Sequence, residues 1–468
     1  MFDPSGVASQ PTDAAVDNGD GSVLPDASAP APDAALIDAT PPEDETLDLG
    51  DVRLLAHRLN ALDVEVWRRD IQDATWRRDG MTAVLPGNAR FLSNRVAPDG
   101  SRDEVFGALT DNGGQLVLST QNSTAGGPWI PGWQRDVPGD ARSRSFDIEY
   151  EASGEAMMVY SIGDDKPRYR TYVNGMWSDE LTTPITSSGN IVWIELVPRP
   201  GTDELALASI DDNEDLWVGI WDGDAWDNAS VELLFADVKP NPVNGVVQNP
   251  VVDMAYEAGG DLIVVWGDNL AQGFKLAVKP PGLAAGIPIA VAAPGGGRVH
   301  AIDAEARAGS DEIAFITSDL GDGTERLGAA RWDGAVVRVE GEVDPQINNV
   351  NDLAYGDFPA AIAWIGDNPV AVYPDNQNAT LDWAHFVGGN FAEGDDIAIA
   401  GKGRTESVLF QTLPDGNQAV GVLSGDGGEL YVFSRVVDTW NIENAGQPLV
   451  DMLATSEGMA FSMDVRQQ

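Results

Sequence analysis

Two acidic runs carry the residue types and spacing closest to a hard-cation site. SDLGDGTE at 318–325 places Asp319, Asp322 and Glu325 close together, and DDNED at 211–215 does the same for Asp211, Asp212 and Asp215. Calcium takes clustered carboxylate and carbonyl oxygens, so calcium is the one cofactor the sequence nominates. Neither run has EF-hand spacing, and Asp, Asn and Gly are also the ordinary residues of tight turns, which is the competing reading. His57, His300 and His385 lie far apart and form no HExxH-like cluster, and there is no cysteine. A zinc site, a disulfide and a thiol nucleophile are therefore not expected. The chain also has no GxSxG elbow, no phosphate-binding GxxxxGK[ST] loop and no GxGxxG opening a helix. Paired carboxylates for glycoside hydrolysis carry no signal in a chain this acidic, so no catalytic residue is nominated.

Both acidic runs fall at the same place in a larger pattern. LWVGIWDGDAWDNA at 216–229 reads as an alternating strand, an Asp-Gly turn and a following Trp. YRTYVNGMWSDE at 169–180, LYVFSRVVDTWNIE at 430–443, LGAARWDGAVVRVE at 327–340 and LDWAHFVGGNFAEG at 381–394 repeat it, and looser copies begin at 64, 116 and 274. Asp-Gly and Asn-Gly between alternating apolar runs are strong hairpin signals, because a type I′ turn needs positive φ at both central residues. The anchors after the turns, Trp76, Trp129, Trp177, Trp226, Ile287, Val336, Phe391 and Trp440, recur every 48 to 61 residues.

Two further alternating runs precede the better-defined hairpins, as in FDIEYEASGEAMMVYSI at 146–162 and WIELVPRPGTDELALASI at 193–210. Each unit therefore has four short strands, the signature of a β-propeller. The expected fold is all-β: one propeller over 49–468 with eight blades, or seven if the irregular first hairpin is not a blade. The last run, 450–465, reads as the first two strands of a unit and the first hairpin, 64–78, as the last two. Joined, they make one composite blade that closes the ring and removes exposed sheet edges.

On this architecture Trp76, Trp129, Trp177, Trp226, Phe391 and Trp440 are expected to pack between blades, each covering roughly 150–250 Å² if fully buried. The acidic runs become turns between second and third strands. They emerge on one face with TDNGG (110–114), GDDK (163–166), GDN (267–269), PDNQN (374–378) and SGDGGE (424–429). A carboxylate-rich face favours cations or a basic partner.

The WDGDAW stretch resembles a degenerate Asp box, the Ser/Thr-x-Asp-x-Gly-x-x-Trp hairpin of sialidase-like propellers, with Asp222, Gly223 and Trp226 in the matching order. That resemblance implies fold and not activity, because the Asp box lies away from the sialidase active site. Two-thirds of residues 1–48 are Ala, Pro, Asp, Ser or Gly, a composition that cannot offset its ordering entropy by burial. They resemble the spacer behind the lipidated cysteine of bacterial surface lipoproteins, which implies an exported protein with an acyl anchor upstream of Met1.

Lys and Arg total 28 against 75 Asp and Glu, a formal charge of −47, which excludes nucleic acid as a partner because phosphate neutralisation needs a basic surface. No stretch approaches the roughly 18–20 apolar residues of a membrane span. The reading the sequence favours is a non-enzymatic extracellular or cell-surface binding propeller whose acidic loop face meets a protein or glycan. The alternatives are a sialidase-like glycoside hydrolase and a structural subunit of a surface assembly.

Overall fold

The computed structural model describes residues 48–137, 144–236, 238, 251–268, 272–321, 324–349, 360–374, 380–399, 405–425, 428–453 and 460–466. The tail expected at 1–48 lies, except for Asp48, outside them. Eight antiparallel sheets form the blades, each in meander order from an innermost strand outward. Blade 4 is representative: Ile191–Pro198, Leu205–Asp211, Leu216–Trp221 and Glu232–Phe235. In blades 3 and 7 the outermost strand is broken into two short pieces, Met176–Trp177 with Leu181–Thr182 and Asn390–Glu393 with Ile397–Ala398.

The innermost strands touch in unbroken succession around an axis. They are Phe461–Val465, Asn88–Val96, Phe146–Tyr150, Ile191–Pro198, Val252–Tyr256, Arg298–Ala306, Ala361–Ile365 and Thr405–Thr412, and the last returns to the first. Eight apolar clusters fill the interfaces between adjacent blades, so the core is a ring of interfaces rather than one centre. Asn174 and Gly175, at φ 52° and 82°, form the turn of the blade 3 hairpin, where Gly tolerates the left-handed backbone at no steric cost.

Blade 1 is composite, but its division differs from the sequence expectation. The C-terminus supplies only the innermost strand, Phe461–Val465, and the N-terminus supplies three: Val52–His57, Val64–Arg69 and Trp76–Met81. VRLLAH at 52–57 is flanked by strands on both edges and packed on both faces, with all six residues buried, so it lacks the alternation of a half-exposed strand. Residues 450–453 make only isolated bridges, Val450 to Leu430 and Leu453 to Arg58.

Candidate functional site

Strand polarity is the same in every blade, so the turns between second and third strands share one face, called upper here, with the connections from blade to blade. The acidic turns sit on it. At blade 4, Asp211 is fully buried: Oδ1 accepts the amides of Asn213 (2.9 Å) and Asp215 (3.0 Å), and Oδ2 accepts that of Gly189 (2.9 Å). Asp212 accepts the amide (2.8 Å) and the side-chain nitrogen (3.0 Å) of Asn190, and Asp215 accepts the Ser188 hydroxyl (2.8 Å). The three aspartates share one turn, and each carboxylate spends oxygens on donors of that turn or of the connection beside it, which is what Asp does at turns.

At blade 6, Asp319 and Glu325 are fully buried. Asp319 Oδ1 accepts the Gly297 amide (2.9 Å). Burial is the largest influence on the Asp319 carboxyl and raises its pKa. Glu325 Oε1 accepts the Ser318 hydroxyl at 2.5 Å and lies 3.0 Å from His300 Nε2. Sequence spacing gave no hint of His300 as a partner here; the innermost strand delivers it from 25 residues upstream. Asp322 lies outside the described residues. Among the described residues, no three His, Asp or Glu side chains converge as a cation-binding group.

A second acidic set surrounds the axis. Asp464, Asp147, Glu149, Glu195, Asp253, Asp303 and Glu305 all stand on innermost strands. An innermost strand is a sheet edge whose amides need acceptors, and the carboxylate of one blade supplies them to a neighbouring one. Asp464 accepts from Val96 N (2.8 Å), Asp147 from Leu196 N (3.1 Å), Asp253 from Ala304 N (2.7 Å) and Asp303 from Ile362 N (2.7 Å). Thr412 does the same for Trp364 N (2.9 Å). Arg95 binds Glu149 (2.6 Å), and Arg144 bridges Asp147 and Glu195. Both guanidiniums are thus paired with protein carboxylates of the innermost strands.

Burial dominates the acidity of this set. It pushes Glu149 and Glu195 up to about 7, against the opposing pull of Arg95 and Arg144. It pushes Asp303 to about 7, Asp464 to about 6, and Glu305, with the added repulsion of Asp303, to about 8.

One upper-face turn differs in kind. Between the second and third strands of blade 1 the chain reads RLNALD, with two leucines where the other blades carry Asp and Gly. Leu59 and Leu62 are 43% and 68% exposed, and Val84 and Met452 are 64% and 60% exposed. Backbone bonds gather them: Leu59 N donates to Met452 O (2.8 Å) and Leu85 N to Leu62 O (2.6 Å). Asp63 and Asp451 adjoin them in the chain. Four clustered exposed apolar side chains on an otherwise acidic face form a patch of the kind that marks interaction sites. The leucine pair in a turn position was its sequence signal.

The aromatic anchors line the blade interfaces. Trp76 packs on the cluster between blades 8 and 1, Trp129 between 1 and 2, and Trp177 between 2 and 3. Trp226 lies between 3 and 4, Phe391 between 6 and 7, and Trp440 between 7 and 8. Ile287 and Val336 depart from that role, being 92% and 52% exposed. Buried Trp266 and Trp332, from strands nearer the axis, fill those two interfaces instead. Asp222, in the WDGDAW turn on the lower face, accepts the amides of Asp224 (3.0 Å) and Ala225 (2.8 Å).

No family model matches the sequence, and no curated protein does. In structure the chain is similar to the BP39L lectin from Burkholderia pseudomallei, at 17% identity over 76% of this chain and 98% of that one, with a TM-score of 0.49. It is similar to the periplasmic gluconolactonase PpgL of Pseudomonas aeruginosa, at 12% identity over 89% and 98%, TM-score 0.45. It is also similar to the dihydro-heme d1 dehydrogenase NirN, at 10% identity over 88% and 75%, TM-score 0.49. These three carry different chemistries, and none of their activities transfers to this chain through the likeness.

Proposed function

We propose that the protein is a non-enzymatic binding propeller, working outside the cytoplasm, whose upper face takes a protein partner through a segment with apolar side chains set among Lys and Arg. The observation that carries this reading is the patch of Leu59, Leu62, Val84 and Met452, exposed on a face whose other turns are acidic. Apolar contact supplies the anchor, and the surrounding negative field draws a basic segment in and discriminates against acidic ones. The extracellular setting is supported by the composition of residues 1–48 and by a surface acidic enough to keep a free chain dispersed.

Selection from a displayed library of random linear peptides tests this reading. Binders enriched on the wild-type protein are expected to carry Leu, Phe or Trp flanked by Lys or Arg. Enrichment of acidic or featureless sequences would overturn it.

A further inference from the structure

Val96, Leu196, Ala304 and Ile362, all on innermost strands, each donate a backbone amide to a carboxylate of a neighbouring blade. Ala89, near the start of the innermost strand of blade 2, donates instead to Nδ1 of His57 at 3.4 Å. We infer that His57 is an acid-sensitive latch beneath the apolar patch: its protonation breaks this tie, loosens the two segments that present the patch and releases the upper-face partner. The inference rests on the reading of the patch proposed above.

Position is the first reason. His57 ends the second strand of blade 1 and leads straight into the turn that carries Leu59 and Leu62. Ala89 closes the connection from blade 1 to blade 2, which carries Val84. Leu85 N, donating to Leu62 O at 2.6 Å, is a second tie between the same turn and the same connection. Both His57 and Ala89 are fully buried, so neither gains a water partner unless the segments part.

The chemistry of the acceptor is the second reason. A carboxylate that takes up a proton keeps a carbonyl oxygen and goes on accepting. An imidazole does not. Accepting from Ala89 fixes the neutral ring with its proton on Nε2, and a second proton places an N–H at Nδ1, donor against donor with the Ala89 amide. The amide is then buried without an acceptor, which costs more than an ordinary hydrogen bond contributes.

Burial is the largest influence on the ring and lowers its pKa from 6.5, against the Ala61 backbone and the Asp63 carboxylate, which favour the proton. The folded pKa lies below the unfolded one, so the stability lent by the neutral ring is present above about pH 6.5 and is lost as pH falls through the folded value. Asp63 is the ionisable group that acts on the ring. Glu65, on the neighbouring third strand, pairs with Arg58 (2.9 Å) and Arg78 (3.2 Å), and Arg90 on blade 2 pairs with Asp111 (3.1 Å). Arg68, Arg69 and Asp464 lie opposite Arg53 and Val52, at the far end of the strand.

Hydrogen–deuterium exchange at about pH 7.5 and about pH 5, corrected for intrinsic exchange, reads the latch without a ligand. Protection over residues 58–65 and 82–89 is expected to fall at least about threefold on acidification in the wild type. It should stay level in His57→Gln, whose side chain accepts but does not titrate. Calorimetry with an amidated, histidine-free peptide of Leu, Lys and Arg from the displayed library reads the release. The wild type is expected to bind it about fivefold more weakly at the lower pH, the value of roughly one hydrogen bond, and His57→Gln to change by less than about twofold. Absence of peptide binding at both pH values would count against the patch reading, and exchange would still decide the latch. If His57→Gln does not fold, the wild-type exchange pattern decides it alone. A loss of protection shared by the whole chain, no loss in those two segments, or the same pH dependence in His57→Gln would each overturn the inference.

Discussion

Glu305 offers a test of whether the acidic axis is as buried as described. Its carboxyl is pushed from 4.5 to about 8, mainly by burial and then by Asp303. A folded-state pKa raised above the unfolded one means that the folded chain binds the proton more tightly. The stability this confers is fully present below about 4.5 and is lost as pH rises through about 8. At 1.36 kcal/mol per unit the shift corresponds to about 5 kcal/mol as a ceiling. Partial exposure and water along the axis reduce that to roughly 2 kcal/mol. Glu305→Gln removes the charge and keeps the shape, so it should stabilise the protein by roughly 2 kcal/mol at pH 8 and by almost nothing at pH 4. For a unit of this size that is about 2–3 °C in melting temperature. Urea unfolding at both pH values, with fluorescence and circular dichroism as parallel probes, measures it. Equal or lower stability of the variant at pH 8 would refute the reasoning, as would the same gain at both pH values.

Three other outcomes follow from the interfaces and turns. Glu443 holds Arg69 at 2.8–3.0 Å and the Trp76 indole at 2.5 Å across the junction of blades 8 and 1. Glu443→Ala leaves a buried guanidinium unpaired and should cost about 3–5 kcal/mol in urea unfolding, whereas a cost below about 1 kcal/mol would mean the junction does not depend on it. Trp226, 8% exposed against Tyr169 and Trp221, should cost about 3–5 kcal/mol on truncation to Ala; an effect within the error of the wild type would return it to a ligand role. Calcium at Asp211, Asp212 and Asp215 would have to displace amide and hydroxyl donors, so millimolar calcium is expected to leave the melting temperature unchanged. A rise abolished by Asp215→Asn would restore the calcium reading.

The propeller was legible because its hairpin turns and aromatic anchors recur at a period that four short strands require. Legibility failed where burial erased the pattern. Val52–His57 is covered on both faces and reads as a plain apolar run, so the sequence pattern divides blade 1 two and two where the structure divides it one and three. Ile287 matched by count but not by packing, because the outer strand of blade 5 starts only at Ile289. The acidic turns were visible, but sequence could not distinguish a ligand-seeking carboxylate from Asp211, whose oxygens serve its own turn. The axial set was hidden for a related reason. Asp147 and Asp253 occupy the polar positions of alternating strands, which normally face solvent, and only ring closure turns them toward a neighbouring blade. The apolar patch left a trace in LNAL, two leucines at a turn where the other blades place Asp and Gly.

Binding of a partner at the apolar patch of the upper face is open to direct measurement. Calorimetry of the most enriched displayed peptide against wild type, Leu62→Asp/Val84→Asp and a lower-face control, Asp203→Asn/Asp224→Asn, tests it most directly. The patch variant is expected to lose at least about tenfold in affinity, some 1.4 kcal/mol, while the control binds as wild type. Undiminished binding by the patch variant, or an equal loss in both variants, would contradict it.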